Sequence, residues 1–240
     1  MFRWRASDGA VERAVTDRWG GVSVAPFDEL NLAAHVGDDP SAVAANRAAL
    51  GAALDLPPER LVFMTQVHGD RVLVLDRPWT HPPPPGDAVV TTATGLALVV
   101  LVADCVPVLL ADRRAGVIAA VHAGRPGMLA GIVARTVATM RSLGALGIDA
   151  VLGPSVCARC YEVPAAMREQ AAVVAPVSAG VSWQGTPSID VAAGVVHQLR
   201  ECEVGVRRLP GCTRQSPDLF SYRAHRQTGR FAGVVLRHGP

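Results

Sequence analysis

The sequence has 240 residues, 50% of them hydrophobic and 18% charged, so it is long enough to bury the core of one globular domain. Its net charge of +2 does not indicate a nucleic acid or membrane partner, and no apolar run approaches the roughly 18 to 20 residues of a membrane span. The charged N-terminal residues lead into no apolar signal segment, and the five cysteines do not form a disulfide framework. These features predict a cytoplasmic protein.

The first third of the chain is predicted to contain a short strand, a helix and a β-hairpin. The strand covers residues 11–16. The helix covers residues 41–54, with Asp39 as its cap and Pro40 in its first turn. Two strand-like runs follow at residues 61–67 and 71–75, and the turn at His68 predicts that they pair as a hairpin.

The rest of the chain alternates between strand and helix signals. Apolar runs predict strands at residues 87–91, 96–102, 107–111 and 117–121, and the last two are apolar enough to be covered on both faces. Helical spacing follows at residues 127–143. The remaining predicted elements are strands at 150–152, 204–209 and 231–236 and helices at 164–174 and 191–201. The pattern predicts a single α/β domain over residues 1–240, with layered mixed β-sheets flanked by helices.

Three of the predicted strands end in residues that can bind zinc. The run 61–67 ends at His68, the run 96–102 leads to Cys105, and the run 117–121 ends at His122. If the three strands share one sheet edge, these side chains converge. Two histidines and one cysteine leave the fourth tetrahedral position of zinc open, as in a catalytic site.

The same residues also allow readings without zinc. Each of them alone could be a core residue, because buried histidines and cysteines are common. Cys105 could also act as a nucleophile with His68 or His122 as its base, which would give a Cys/His hydrolase. We favour zinc because a nucleophilic pair leaves the second histidine without a role.

The segment from His122 to Gly127 lies between a predicted strand and a predicted helix. Its glycines, including Gly124, allow a tight turn, and the first amides of the helix could bind a phosphate beside His122. A turn of this kind without any ligand fits the sequence equally well.

The other cysteines and histidines carry weaker signals. Cys157 and Cys160 form a C-x-x-C pair, but no second pair follows, so we do not predict a structural zinc there. Cys202 is interpreted as a packing residue. The remaining histidines are interpreted as surface or core residues: His35, His81, His197, His225 and His238.

A series of motifs along nearly the whole chain resembles the YfiH/laccase-domain family. That family was once called multicopper polyphenol oxidases and is now regarded as purine nucleoside phosphorylases; it is also named peptidoglycan editing factor. The motifs are Gly20-Gly21-Val22-Ser23, Asn31-Leu32, His35-Val36-Gly37-Asp38-Asp39, Asn46-Arg47, Gln66-Val67-His68-Gly69, Asp87-Ala88, Ala103-Asp104-Cys105-Val106-Pro107, His122-Ala123-Gly124, Gly153-Pro154, Tyr161-Glu162-Val163, Cys212-Thr213, Phe220-Ser221-Tyr222-Arg223 and Thr228-Gly229-Arg230.

The resemblance implies a zinc ion held by His68, Cys105 and His122. It implies phosphorolysis of adenosine, inosine, guanosine and methylthioadenosine to free base and pentose 1-phosphate, together with hydrolytic deamination of adenosine. Arg47 matches the Asn-Arg pair of the family and is expected to bind phosphate or substrate. The expected partners are therefore purine nucleosides and phosphate, and the sequence does not indicate an oligomeric state.

The chain departs from the family at one corner of this expected site. The family usually reads His-Ala-Gly-Trp-Arg-Gly, whereas this sequence has Arg125 and Pro126 after Gly124. The aromatic residue is lost and the arginine moves one place, so the anion contact expected of Arg125 and the substrate preference are both open. The three zinc ligands are unchanged.

Two further functions come from the older name of the family and from its alternative name, peptidoglycan editing factor. A copper-dependent polyphenol oxidase is the first, although multicopper chemistry needs more histidines than the three ligands provide. The second is a non-catalytic, metal-binding accessory protein of the cell wall, which would hold zinc without turning over any nucleoside.

Overall fold

The computed structural model describes residues 1–79 and 82–239, so the interpretation of His81 lies outside the described residues. Its helices are α1 (Pro40–Ala53), α2 (Arg125–Ala130), α3 (Ile132–Ser142), α4 (Ala165–Val174) and α5 (Val191–Glu201). Its strands are β1 (Phe2–Asp8), β2 (Val11–Thr16), β3 (Leu61–Val62), β4 (Val72–Val74), β5 (Ala88–Thr91), β6 (Ala97–Val102), β7 (Val106–Asp112), β8 (Val117–Ala123), β9 (Asp149–Leu152), β10 (Ala179–Val181), β11 (Pro187–Ile189), β12 (Gly205–Arg208) and β13 (Phe231–Arg237). None of the helices in the described part is long and apolar enough to cross a bilayer.

Two mixed sheets form the centre of the fold. The first has five strands in the order β1-β2-β13-β6-β3, and the second has six strands in the order β12-β9-β7-β8-β5-β4. Most neighbours are antiparallel, but β3 with β6, β4 with β5 and β9 with β12 are parallel. A small hairpin of β10 and β11 lies apart from both sheets. The predicted α/β fold with mixed sheets is therefore confirmed.

Side chains that alternate along the central strands divide the core into layers. In β6, Val100 packs into the cluster between the two sheets, whereas Val99 faces the cluster that contains Leu50 of α1. In β7, Leu109 packs between the sheets and Leu110 faces the cluster formed with helices α3 and α5. The order of layers is thus helix, sheet, sheet, helix. Both faces of β7 and β8 are buried, as their apolar sequences predict.

The predicted hairpin of residues 61–75 is wrong. Of the run 61–67, only Leu61 and Val62 form a strand, β3, which pairs with β6 in the five-stranded sheet. The second run forms β4, which pairs with β5 in the other sheet. The chain leaves the sheet after β3 because the amides of Val67, His68 and Gly69 donate to the carboxylate of Asp87 instead of to a neighbouring strand. The three ligand-type residues therefore do not share one sheet edge.

Helix α1 confirms the predicted start, since the Asp39 carboxylate accepts a hydrogen bond from the Ser41 amide. The helix predicted at 127–143 is broken in two by Gly131, which has a φ of 84° in the left-handed region. Three strands were not predicted: β1, β10 and β11. Most residues of β1 are exposed, so this edge strand lacks the apolar alternation that marks a half-buried strand.

Candidate metal centre and cavity

The fold brings His68, Cys105 and His122 together from three segments. His68 lies in the loop between β3 and β4, Cys105 lies where the chain crosses from β6 of one sheet to β7 of the other, and His122 is inside β8. Their ligand atoms all lie within 4.8 Å of one another. The two imidazole rings have centroids 4.7 Å apart and are nearly perpendicular, at 79°.

The buried carboxylate of Asp87 organises two of these ligands. Its Oδ1 lies 2.8 Å from His122 Nδ1, which leaves Nε2 as the ring nitrogen available for a metal. The same carboxylate accepts the backbone amides of Val67, His68 and Gly69 at 2.7 to 3.2 Å. Asp87 thereby fixes the ring of one histidine and the loop that carries the other. His68 itself has a left-handed φ of 61°, a conformation that this loop must hold in place.

Gly124 is required by the close approach of the ligands. A Cβ at this position would lie 2.8 Å from His68 Cδ2 and 3.1 Å from Cys105 Sγ. Any side chain here would therefore push two ligands apart. This residue was predicted as part of a phosphate-binding turn, and the structure gives it a further role in packing against the ligand set.

The charges at the centre favour a cysteine thiolate. Burial would raise the pKa of Cys105, but His122 and His68 outweigh this effect and lower it to about 6. Burial would likewise lower the pKa of His122, but Cys105 and Asp87 raise it to about 9. The thiolate is thus stabilised by positive charge beside it. Since the thiolate is the form that coordinates metals, the donor set of two imidazoles and one thiolate suits zinc.

A cavity of about 570 Å³ opens over this centre, within the size range of small-molecule sites. Its charge is strongly positive, because Arg125, Arg223, Arg226 and Arg230 all line it. Within residues 1–79 and 82–239, none of these four arginines forms an ion pair. Two aromatic side chains, Tyr161 and Tyr222, also line the cavity. The site therefore offers cations for an anion, and the guanidinium groups of Arg223, Arg226 and Arg230 stack over the two tyrosine rings.

The predicted anion-binding turn is only partly present. Arg125 lines the cavity, but α2 has only six residues, and Pro126 has no backbone N–H to donate. One of the expected helix amides is therefore missing. An anion at this corner would meet the side chain of Arg125 and fewer helix amides than expected.

Arg47 is not among the described residues that line the cavity. Its guanidinium donates to the Leu32 carbonyl at 2.9 Å and stacks 3.9 Å from the centre of the Phe63 ring. Burial lowers the pKa of Arg47. It does contribute charge to the site indirectly, because it acts with Arg230 and burial to lower the pKa of His35, which lines the cavity.

Asp104, next to Cys105, is held by three donors. Its carboxylate accepts Thr213 Oγ1 at 2.6 Å, Ser221 Oγ at 2.7 Å and the Arg223 amide at 2.6 Å. Its φ of 105° is strained for a residue with a side chain, and these hydrogen bonds hold it there. Asp104 thus positions the Cys105 loop against the segment that carries the cavity arginines.

The roles of Asp87, His35 and Arg230 are not evident from local sequence. Asp87 precedes β5 and Arg230 precedes β13, so each is a polar residue at the start of a buried strand. His35 was interpreted as a surface or core residue. All three belong to the motifs that resemble the YfiH/laccase-domain family. Membership in these motifs is the signal that could have identified them.

The protein is thus a layered α/β/β/α domain with two histidines and one cysteine, a set that could hold a metal ion, in the wall of a cationic cavity. The match to a family model is more specific. Residues 12–238 match the family described as multi-copper polyphenol oxidoreductase laccase, and the chain belongs to this family.

Related proteins support the same assignment. A purine nucleoside phosphorylase of Streptomyces coelicolor is 55% identical over 92% of this chain and 93% of its own length. One of Mycobacterium bovis is 51% identical over 94% and 91% of the two chains. Among solved structures, a Neisseria meningitidis protein has a TM-score of 0.87 at 31% identity, covering 98% and 99% of the chains. The YfiH protein of Bacillus licheniformis has a TM-score of 0.88 at 25% identity, covering 95% and 93%.

Proposed function

We propose that this protein is a zinc-dependent purine nucleoside phosphorylase. The observation that carries the proposal is the cationic cavity directly over a centre of two histidines and one cysteine. Relatives of 47% to 55% identity are named purine nucleoside phosphorylases. The products would be a free purine base and a pentose 1-phosphate, from adenosine, inosine, guanosine or methylthioadenosine.

The donor set favours zinc over copper. Two histidines and one cysteine also occur in blue-copper sites, which add a weak axial methionine or glutamine. The described residues that line the cavity include no methionine, and both ends of the Gln66 amide are occupied by the backbone of Leu101. A multicopper oxidase needs further histidine clusters, whereas His35 is the one other histidine among the described lining residues.

The arginines of the cavity would bind and orient the phosphate. In phosphorolysis a phosphate oxygen forms a bond to C1′ of the ribose, the C1′–N9 bond breaks, and its electron pair leaves with the purine, which takes up a proton. Planar guanidinium groups can hold two phosphate oxygens at once, which leaves another oxygen free to attack. We assign this role to Arg125, Arg223, Arg226 and Arg230, with Arg47 retained from the family resemblance as a supporting charge.

The purine would bind against the two tyrosines of the cavity wall. Tyr161 and Tyr222 provide aromatic surface there, and a purine would share these rings with Arg223, which lies 4.8 Å over Tyr161, and Arg226, which lies 5.3 Å over Tyr222. His35 also lines the cavity, and burial and the neighbouring arginines lower its pKa, so it takes up a proton less readily than an ordinary histidine. His68, Cys105 and His122 would hold the zinc, which supplies a Lewis acid and can activate water, as adenosine deamination would require.

A hydrolase that uses Cys105 as nucleophile is the second candidate. The lowered pKa of Cys105, about 6, and its contact with His122 favour this reading. In such an enzyme His122 would balance the thiolate charge with a proton, and Asp87 would orient the ring. The two candidates differ in whether activity survives removal of the metal.

The test is product analysis of purified protein with measured metal content, incubated with adenosine and inosine, with and without phosphate. The phosphorylase predicts hypoxanthine and ribose 1-phosphate from inosine only when phosphate is present. Inosine from adenosine would add the deaminase. Activity that persists after thorough chelation would support the Cys105 hydrolase. Bound zinc without turnover would support a metal-binding accessory protein.

A further inference from the structure

A second cluster of possible metal ligands lies outside the proposed active site. The sulfur atoms of Cys157, Cys160 and Cys212 all lie within 4.8 Å of one another. All three are free thiols, Cys160 is buried, and the other two are half-buried. Sequence spacing did not reveal this cluster, because Cys212 lies 55 residues after Cys157. The C-x-x-C pair therefore does have a partner, supplied by the fold.

We propose that Cys157, Cys160 and Cys212 bind a second, structural zinc ion. Zinc binds thiolate sulfur at about 2.3 Å in a tetrahedron, which places sulfur atoms about 3.8 Å apart, so a small contraction of this cluster accommodates the ion. Three thiolates form a softer donor set than the two imidazoles and one thiolate of the active site. Such a set selects zinc over magnesium or calcium.

The backbone around the cluster is arranged as in a thiolate metal site. The Cys157 amide donates to Cys212 Sγ at 3.4 Å, and the Gln215 amide donates to the Cys212 carbonyl at 3.1 Å. An amide that donates to the sulfur stabilises the thiolate. A short 3₁₀ turn, Ala158–Cys160, brings the two cysteines of the C-x-x-C pair to the same side.

The neighbouring side chains can complete the site. Gln215 Oε1 lies 4.0 Å from Cys157 Sγ, so this oxygen or a water molecule can provide the fourth ligand. Three thiolates and one Zn²⁺ leave one negative charge. Arg214, whose guanidinium donates to the Cys160 carbonyl at 3.5 Å, lies close enough to offset it.

The ion would fasten together two segments that form a wall of the active-site cavity. Val156 and Tyr161, on either side of the C-x-x-C pair, line the cavity. On the other segment, Thr213 donates to Asp104, which positions the Cys105 loop. Besides the sulfur contacts, one backbone hydrogen bond joins the segments directly, from the Thr213 amide to the Ser155 carbonyl at 3.2 Å. A zinc ion bound to both segments would strengthen this connection.

Metal analysis of the full-length protein tests the proposal without reference to activity. We expect about two zinc ions per wild-type chain, one in Cys105→Ser, one in Cys160→Ser, and none in the double variant. Cys202 belongs to neither site, so the Cys202→Ser variant should keep two zinc ions. A wild-type content of one zinc that Cys160→Ser leaves unchanged would overturn the proposal, whether or not the protein turns over nucleosides.

Cobalt substitution identifies the ligands. When Cys105→Ser is loaded with Co²⁺, the remaining thiolates should give strong sulfur-to-cobalt absorption in the near ultraviolet, and Cys105→Ser/Cys160→Ser should lose it. Circular dichroism checks that each variant is folded, and the half-buried Cys157→Ser replaces Cys160→Ser if the latter is not. Thiol titration of the denatured wild-type protein should find five thiols. A count of three would indicate a disulfide in the cluster and would reject the zinc site.

Discussion

The two cysteine-containing clusters of this protein are alike in size but differ in their surroundings. Each brings three ligand-type residues within 4.8 Å of one another. The cluster of His68, Cys105 and His122 lies in the wall of a large cationic cavity, and a buried carboxylate orients it. The cluster of Cys157, Cys160 and Cys212 joins two loop segments, and the Cys157 amide donates to Cys212 Sγ.

This difference separates a centre that can act on a ligand from one that can hold the chain together. A reactive centre needs an open coordination position and space for substrate, whereas a structural centre needs only ligands from segments that must stay together. The comparison therefore predicts large losses of activity from changes at the first cluster. Changes at the second should act chiefly on stability.

The largest effect is expected from Cys105→Ser. A serine hydroxyl is a poor zinc ligand, so phosphorolysis should fall by more than about 100-fold, the upper range for loss of a residue that merely orients a ligand. The measurement is kcat for inosine in the presence of phosphate, together with zinc content. Cys202→Ser is the matched control and should retain full activity. Full activity in Cys105→Ser would exclude both the zinc enzyme and the Cys105 hydrolase.

Asp87→Asn should reduce metal affinity or activity by about 10- to 100-fold, because the amide orients His122 less well than a carboxylate does. It should also change acid stability. The pKa of Asp87 is lowered: burial acts to raise it, but His122 and the amides of Gly69 and His68 prevail. The ionised form is thus stabilised by folding. Its contribution is complete above the ordinary pKa of about 4 and is lost as the pH falls through the lowered value.

Acid unfolding of the zinc-free wild-type protein and the variant measures this second effect. The stability difference between them should be largest near neutral pH and should shrink in acid. A difference that stays constant from pH 7 to acid would mean that the charge of Asp87 does not contribute to stability.

Much of this fold was predictable, because a strand buried on both faces has an apolar sequence that can be recognised directly. The strands β5 to β8 and β13 and the helices α1, α4 and α5 were found within a few residues. The loop at His68 was not. Residues 61–67 have the composition of a strand, but their amides bind Asp87, which lies about 20 residues further along the chain. Local periodicity carries no information on such a contact.

In the candidate site, too, some residues could be recognised from the local sequence and others only from the fold. The ligand residues could be recognised because each follows or lies in an apolar run. Asp87 and Gly124 act through distances between segments, which only the fold defines. The partner of the C-x-x-C pair could not be predicted for the same reason. A β-bridge between Ser155 and Cys212 brings Cys212 next to the pair, and local sequence does not indicate this bridge.

Gly124→Ala tests how closely the first cluster is packed. The new Cβ would meet His68 and Cys105 at 2.8 and 3.1 Å, so the ligands must move apart. We expect zinc affinity to fall by about 10-fold or more, by analogy with changes that disturb ligand orientation. Gly205→Ala is the control, because a Cβ there meets nothing within 4 Å. Competition with a chromogenic chelator gives the affinity. Equal affinities in the two variants would show that the ligands tolerate the added methyl group.

Arg226→Leu tests whether the cavity arginines bind phosphate. A hydrogen bond to a charged group contributes about 1.5 to 3 kcal/mol, so KM for phosphate should rise by about 10-fold or more. KM for inosine and zinc content should change little. The control is Arg60→Leu, because Arg60 is exposed and does not line the cavity. An unchanged KM for phosphate would assign phosphate binding to the other arginines.

The smallest effect on activity is expected from Cys157→Ser, which changes the second cluster only. Because this residue does not line the cavity, kcat should stay within about threefold of the wild type, a change below 1 kcal/mol. Its melting temperature should fall by several degrees, since about 1 kcal/mol corresponds to roughly 2 to 4 °C in a chain of this size. Chelation should lower the melting temperature of the wild type more than that of the variant. If Cys157→Ser instead loses activity as severely as Cys105→Ser and keeps its stability, the distinction between a reactive and a structural cluster fails.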